Sequence, residues 1–307
     1  FKGYWRMNQV QGWINLYKPK NISSFKAINK IKKKFLLNKI GHAGTLDPLA
    51  TGVLPVAIGK ATKLISFVNN DIKKYNFTIS WGIQTSSDDS DGEILNRSKL
   101  FPELKEIEKS KKKFLGLISQ IPPKVSAVKI NGQRAYKLFR KKKEFSISPK
   151  KVFVKEIEVL SHNNNKTMFS LECGKGFYIR SFARDIASQL GTFGYISSLE
   201  RVKVGNFTRE TSILLDDLLK IGERLDDFNF IKTSVSMLDD ILAYEIEDKK
   251  DLSELSFGRP IKIKEEYIKN FSSKNLDKKN VFLSKNGNIV SIGKLEGNLF
   301  KPNKILI

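Results

Sequence analysis

The sequence predicts an α+β fold on a largely antiparallel sheet, and three observations carry that expectation. Residues 73 to 83 alternate, with Tyr75, Phe77, Ile79, Trp81 and Ile83 on one face and Lys74, Asn76, Thr78 and Ser80 on the other. That is the period-two pattern of a half-buried strand. The segment YIRSFARDIASQLG (178–191) sets Ile179, Phe182, Ala183, Ile186, Ala187 and Leu190 at helical spacing and closes on Gly191, a residue suited to the left-handed end of a helix. Strand-like and helix-like stretches then follow one another without a regular βα repeat, which argues against a wound parallel sheet.

Taken in order, GWINLYK (12–18) reads as a short strand, and Lys18-Pro19 as a turn. A helix capped by Ser23 or Ser24 follows, with Phe25, Ile28, Ile31 and Phe35 on one side. VLPVAIG (53–59) has the apolar run of a buried strand, and KATKLISFV (60–68) reads as helix. Pro102 opens a charged helix through FPELKEIEKSKKKFLGLI, and Pro122-Pro123 ends that region. Asn131-Gly132 marks a hairpin turn after SAVKI, with QRAYKLFRKK as a basic helix beyond it. Strands at about 150–160 and 166–173 flank the loop HNNNK. The best helix bears Arg180, Ser181, Arg184 and Asp185 on its polar side. From about residue 245 the texture becomes strand-rich, with Asn286-Gly287 between two alternating runs. The expected organisation is an N-terminal extension over 1–10, a main domain over 11–240 and a small all-β domain over 245–307, with the boundary within 235–255.

Composition sets the function class. A chain of 307 residues, 40% hydrophobic, can bury a sizeable core. No apolar run reaches the roughly 18–20 residues that span a bilayer, and no segment has signal-peptide order, so a cytoplasmic location is expected. Cys173 is the single cysteine, which excludes an internal disulfide and a multi-cysteine metal site. Its run, TMFSLEC, sets Thr167, Phe169 and Leu171 on its own face, so it reads as a core thiol. The chain begins at Phe1 and a plausible start residue comes at Met7, so FKGYWR reads as an upstream extension or a fragment edge. The 55 basic side chains against 32 acidic leave a formal charge of +23. Such an excess points to a polyanionic partner, nucleic acid before an anionic membrane, because KIKKKF (30–35) and FRKKKEF (139–145) lead into no lipid-seeking helix face. A general enrichment in lysine is the bland alternative.

Most familiar chemistries drop out. GVLPVAIGKAT lacks the spacing of a phosphate-binding P-loop, and SSDDSDGEIL has Ser98 where a calcium loop needs its final Glu. The two histidines, His42 and His162, assemble no metal site or hydrolase triad. What remains is Asp47 in GHAGTLDPLATG (41–52), where Gly41, Gly44 and Gly52 permit close backbone approach and Pro48 stiffens the chain after the acid. A carboxylate presented so rigidly suits a nucleophile or general base. From spacing alone, an Asx-turn that merely bonds nearby amides is an equal alternative.

The stretches GHAGTLDPLATGVLPVAIGKATKL, KKYNFTISWGIQTSSDDSDG, PPKVSAVKINGQRAY, CGKGFYIRSFARDIASQLG and SSLERVKVGNF resemble, in order and spacing, the TruB family of tRNA pseudouridine synthases. The resemblance spans residues 11 to about 210. It implies a pseudouridine synthase fold, a mostly antiparallel mixed sheet flanked by helices, with a PUA-like C-terminal RNA-binding domain. It further implies isomerisation of uridine 55 in the tRNA T arm, with no cofactor and no metal, by a protein acting as a monomer away from membranes. By that match Asp47 is the catalytic carboxylate and Arg180 its partner. Tyr75 stacks on the flipped base, and His42 fills the loop it leaves. Tyr178, Leu199 and Asp89 bound the substrate pocket, Asp89 with Asp88 and Asp91 as close neighbours. Val125 stands where the family commonly has tyrosine, and Glu200 where relatives often carry a basic residue, which weakens one expected phosphate contact. Whether the aspartate adds to the sugar, adds to the base or takes a ribose proton stays open at this level. A non-catalytic RNA-binding or tRNA-folding chaperone, and a pseudouridine synthase for another RNA, are the rival readings.

Overall fold

The computed structural model describes residues 10–68, 72–222, 230–237, 243–267 and 281–307. The expected N-terminal extension therefore lies outside the described residues except for Val10, as does 238–242 within the expected boundary.

Among the described residues, alternating sequence becomes one mixed sheet of eleven strands. Its main path runs Ile213–Leu214, Gly12–Lys18, Thr51–Ile58, Gly194–Val204, Lys73–Trp81, Lys166–Cys173, Lys150–Asn163, Gly116–Gln120. Neighbours on this path are antiparallel except at two junctions, Gly12–Lys18 with Ile213–Leu214 and Thr51–Ile58 with Gly194–Val204. The second parallel junction is short, pairing Glu200 with Thr51 and Arg201 with Gly52.

The apolar face of the sheet is covered by helices. Phe77, Ile79 and Trp81 face inward with Phe169 and Leu171, and the helix Ile179–Gln189 packs Phe182, Ala183 and Ile186 onto them in one core cluster. The Phe182 ring meets Phe77, Phe114 and Phe169 edge-on, with centroids 5.8, 5.0 and 5.8 Å away, a favoured aromatic arrangement. Cys173 is buried at the end of the same face, and burial pushes its thiol up to about 12, so it behaves as a small apolar side chain. Gly191 closes the helix with φ +69°.

Several local expectations are altered by tertiary contacts. Ser23 caps the helix Ser24–Lys34 by accepting from the Lys26 amide. That phase turns Ser24, Ala27, Ile28 and Ile31 inward and leaves Phe25 66% exposed, so Phe25 does not belong to the buried side. The charged helix is shorter than its pattern: Glu103 and Glu106 form a capping box, the α-helix covers Leu104–Lys111, and Gly116 at φ +79° begins the strand Gly116–Gln120. Gly82 at φ +84° likewise ends the strand at Trp81, so Ile83 joins a separate hairpin with Ile94–Arg97. Asn131 and Gly132 form the expected left-handed turn, but Gln133 and Arg134 pair across it, leaving the helix only Ala135–Arg140.

The C-terminal part forms a separate five-stranded sheet in the order Ala243–Glu245, Val281–Lys285, Asn288–Glu296, Leu299–Ile305, Ile261–Lys262. It also contains the helix Lys249–Ser256, capped by Asp248, which the strand-rich reading of this part did not include. Its Phe282, Ile292 and Leu306 share a core with Trp13, Val53 and Phe207 of the main body. Phe67 meets Phe282 edge-on at 5.0 Å. Among the described residues no helix is long and apolar enough to cross a membrane.

Candidate active site

Asp47 lies on the loop between two paired strands, Ile40–His42 and Thr51–Ile58. Two buried side chains and one turn amide hold this loop. The Ser24 hydroxyl donates to the Leu46 carbonyl (3.0 Å) and accepts from the Leu46 amide (2.9 Å). The Lys18 ammonium, fully buried, donates to the carbonyls of Pro19, Ile22 and, at 3.4 Å, Pro48. Burial pulls Lys18 down to about 8 against the opposing pull of the Asp47 carboxylate. The Asn21 amide donates to the same Pro48 carbonyl at 2.8 Å. Gly52, which begins the exit strand, has φ +109°, and a β-carbon there would fall 2.2 Å from the Arg201 carbonyl oxygen. Only glycine admits that approach.

The local turn bond is made by the Asp47 backbone carbonyl, accepting from the Ala50 amide, while the Asp47 carboxylate reaches Arg180. The Arg180 Nη2 to Asp47 Oδ2 distance is 2.9 Å. Arg180 opens the long helix on what its sequence marks as the polar side, yet it is only 4% exposed. Its Nη2 also donates to the Val125 carbonyl (2.9 Å), and its Nη1 to the Ser87 carbonyl (3.0 Å), with Asp89 Oδ2 at 3.5 Å. Every face of the guanidinium is thereby fixed, so the charge-assisted bond to Asp47 has one geometry. Val125 contributes through its backbone, whatever its side chain.

One turn along the helix, Arg184 repeats the pattern with Asp88 (3.3 Å) and Asp185 (2.8 Å). Desolvation pushes Asp88 up to about 6, against the pull of Arg184 and Arg180. Asp89 is also raised by burial, opposed by its bond from Ser87 and by Arg180. Asp88 holds φ 60°, an uncommon backbone state for a non-glycine residue.

The ion pair separates two spaces. On one side lies a cavity of about 330 Å³, whose walls include Tyr75, Leu199, Tyr178, Lys73 and Arg201. On the other is an open cleft of about 1240 Å³ lined by acidic side chains, among them Asp89, Asp91 and Glu93, and by basic ones, among them Arg140, Lys142 and Lys143. Asp47 and Arg180 line both. Tyr75 and Tyr178 are both raised by burial. The structure thus brings Asp47, Arg180, Tyr75, Tyr178 and Leu199 around one cavity, with Asp89 behind Arg180. His42 is not among the residues lining either space; it ends the entry strand, where it pairs with Val56 of the exit strand, its Nδ1 is buried without a hydrogen-bond partner, and burial lowers its pKa. His162 bonds Thr167 at the far end of the sheet. No metal-binding cluster occurs among the described residues.

Lys18, Ser24 and Arg201 belong to this site and were not singled out from the sequence. For Arg201 a signal existed: it lies two residues after Leu199 in an alternating strand, which puts both on the inward face. Glu200, facing the other way, accepts from the Tyr17 hydroxyl at 2.8 Å and pairs with Arg209 at 3.3 Å.

A family model described as the N-terminal domain of TruB family pseudouridylate synthases matches residues 32–179. The tRNA pseudouridine synthase B of Ehrlichia ruminantium (strain Gardel) is 38% identical over 299 residues, covering 96% of this chain and 99% of its own. That of Wolbachia pipientis subsp. Culex pipiens (strain wPip) is 47% identical over 213 residues, 69% of this chain and 60% of its own. Among solved structures, a chain of a Cbf5-Nop10-Gar1 complex aligns with TM-score 0.70 at 25% identity, covering 96% of this chain and 85% of that one. A chain of an H/ACA RNP bound to a substrate RNA containing 2′-deoxyuridine aligns with TM-score 0.72 at 22% identity, covering 98% and 87%, a likeness of fold. With one relative matched almost end to end at 38% identity, this chain belongs to the TruB family of pseudouridylate synthases, enzymes that isomerise uridine.

Proposed function

We propose that this enzyme converts uridine 55 in the T arm of tRNA to pseudouridine, with Asp47 as the catalytic carboxylate. The observation that carries the reading is the Asp47–Arg180 pair of 2.9 Å in the wall of a cavity of about 330 Å³ that Tyr75 and Leu199 also line. The substrate class is supported by the names of the relatives and by the excess of 23 positive charges. Extruding a stacked base costs a few kcal/mol, and an aromatic platform such as Tyr75 returns about 1–3 kcal/mol by stacking. Leu199 closes the apolar side, Tyr178 borders the entrance, and Asp89 supports Arg180 from behind. His42 occupies the gap left in the RNA loop.

Uridine and pseudouridine are isomers, so the chemistry is self-contained. The C1′–N1 bond breaks, the base turns, a C1′–C5 bond forms, C5 gives up its proton and N1 takes one. Asp47 acts at the sugar or the base, and Arg180 holds it in place. The open cleft takes the RNA strand next to the target, with Arg140, Lys142 and Lys143 among its basic side chains. The C-terminal sheet is a further RNA-binding surface, and the enzyme acts as a cytoplasmic monomer. The test is a pseudouridine map of unmodified tRNA after incubation with pure enzyme. Product at position 55 is expected, and Asp47→Asn should abolish it while RNA binding stays within a few-fold. Turnover by Asp47→Asn would refute the assignment.

A further inference from the structure

Arg201 is a buried cation with no carboxylate against it. It is 1% exposed, and among the described residues it takes part in no ion pair. Its Nε donates to the Val53 carbonyl and its Nη2 to the Gly44 carbonyl, both at 2.8 Å. These two carbonyls bracket the loop that carries Asp47. The remaining nitrogen, Nη1, lies on the Gly44 side, 3.1 Å from where a β-carbon of that residue would sit. Tyr75 stands opposite Arg201 in the adjacent strand and lines the same cavity, so the charge of the guanidinium acts on the tyrosine hydroxyl.

Taking an arginine out of water without a counter-charge is expensive, of the order of several kcal/mol. A structural role would be served more cheaply by a neutral donor. The wall that Arg201 joins also carries Arg180, and among the described residues its one carboxylate is Asp47. Asp47 is in turn bonded to Arg180. The cavity is therefore built positive, although its proposed ligand, a uracil ring, is neutral on entry.

The reaction supplies the missing negative charge. When C1′–N1 breaks heterolytically the electron pair stays on N1, and the detached base is a uracil anion with charge spread over O2 and O4. It is neutral again only after C5 has bonded to C1′, C5 has released its proton and N1 has gained one. We propose that Arg201 is a positioning residue which, through the Tyr75 hydroxyl and its own fixed charge, stabilises this uracil anion while the base turns. This inference rests on the pseudouridine synthase reading of the same cavity. A fixed, water-excluded cation aimed at charge that develops only during the reaction raises the rate without tightening ground-state binding.

The experiment compares single-turnover rates on two tRNAs, one with uridine and one with 4-thiouridine at the target, whose thiocarbonyl spreads the anion's charge and reduces its need for a cation. The enzymes are wild type, Arg201→Lys, Arg201→Met and, as a control that loosens the same cavity without touching charge, Leu199→Ala. The uridine rate is expected to fall about 100-fold or more in Arg201→Met, with RNA Kd within threefold, and less in Arg201→Lys. The 4-thiouridine rate should fall at least tenfold less than the uridine rate in Arg201→Met, and equally with it in Leu199→Ala. Melting curves identify a variant that does not fold. If Arg201→Met is one, Arg201→Lys carries the test, because its shifted charge should still move the uridine to 4-thiouridine ratio. A ratio unchanged from wild type in the folded Arg201 variants, or a loss confined to Kd, overturns the inference and leaves the functional reading standing. No pseudouridine from wild type overturns both.

Discussion

The guanidinium of Arg180 meets two carboxylates and two backbone carbonyls at once. A lysine ammonium can reach one or two of these and has no planar fork to orient the rest. Arg180→Lys should therefore lower the single-turnover rate about 100-fold or more and leave RNA affinity within threefold. Rate and Kd measured on the same preparation check it, and an equal loss in both would move Arg180 from catalysis to binding. Asp88, at the next turn, shows the opposite balance. Its carboxyl is raised from 3.8 to about 6, chiefly by burial. Between about pH 4 and 6 the folded state holds a proton that the unfolded state has released, so this group's contribution to stability declines as pH rises through that window. In Asp88→Asn that decline is absent. Thermal melts from pH 4 to 7 should show wild type losing stability relative to the variant up to about pH 6 and running parallel above it. Parallel curves throughout would contradict the assignment.

At the scale of elements, the helix Ser24–Lys34 does more than cover the sheet. Its first residue, Ser24, is 1% exposed and binds both backbone groups of Leu46, the residue before Asp47. A serine hydroxyl so placed couples the phase of a helix to the position of a loop 22 residues away. Ser24→Ala leaves an amide and a carbonyl unpaired in a dry site, an expected loss of about 1–3 kcal/mol in chemical denaturation. It should also slow catalysis more than it weakens binding, because the freed loop carries Asp47. Unchanged kinetics would show that Lys18 and Asn21, which hold Pro48 on the other side, are sufficient by themselves.

At the scale of the molecule, the two sheets share a core. Phe282 is fully buried against Phe67, in a cluster that also contains Trp13 of the first strand. The C-terminal part is thus bonded to the body by apolar packing, and Lys304 and Lys63 add polar contacts, each ammonium donating to a carbonyl of the opposite part. Phe282→Ala should cost about 3–5 kcal/mol, as for truncation of any large core aromatic, and should lower the melting temperature of the whole chain. A separate early transition, with the remainder unmoved, would show instead that the two parts unfold independently.

The strand alternation at 73–81, the helix at 179–189 and the left-handed turns at Asn131-Gly132 and Asn286-Gly287 were legible residue by residue, because each depends on neighbours within a turn or a pleat. Asp47 stood out as the one acid in a glycine-rich loop, but its chemistry came only through the family resemblance, since spacing by itself equally allowed an Asx-turn. Only the tertiary structure shows where the carboxylate goes, by bringing Arg180, 133 positions along the chain, to within 2.9 Å of it. It also decided that Phe25 is exposed while Lys18, Arg180 and Arg201 are buried. Charge and hydrophobicity report a side chain's preference for water. Whether that preference is met depends on carbonyls and carboxylates delivered from distant segments, and those are a property of the fold.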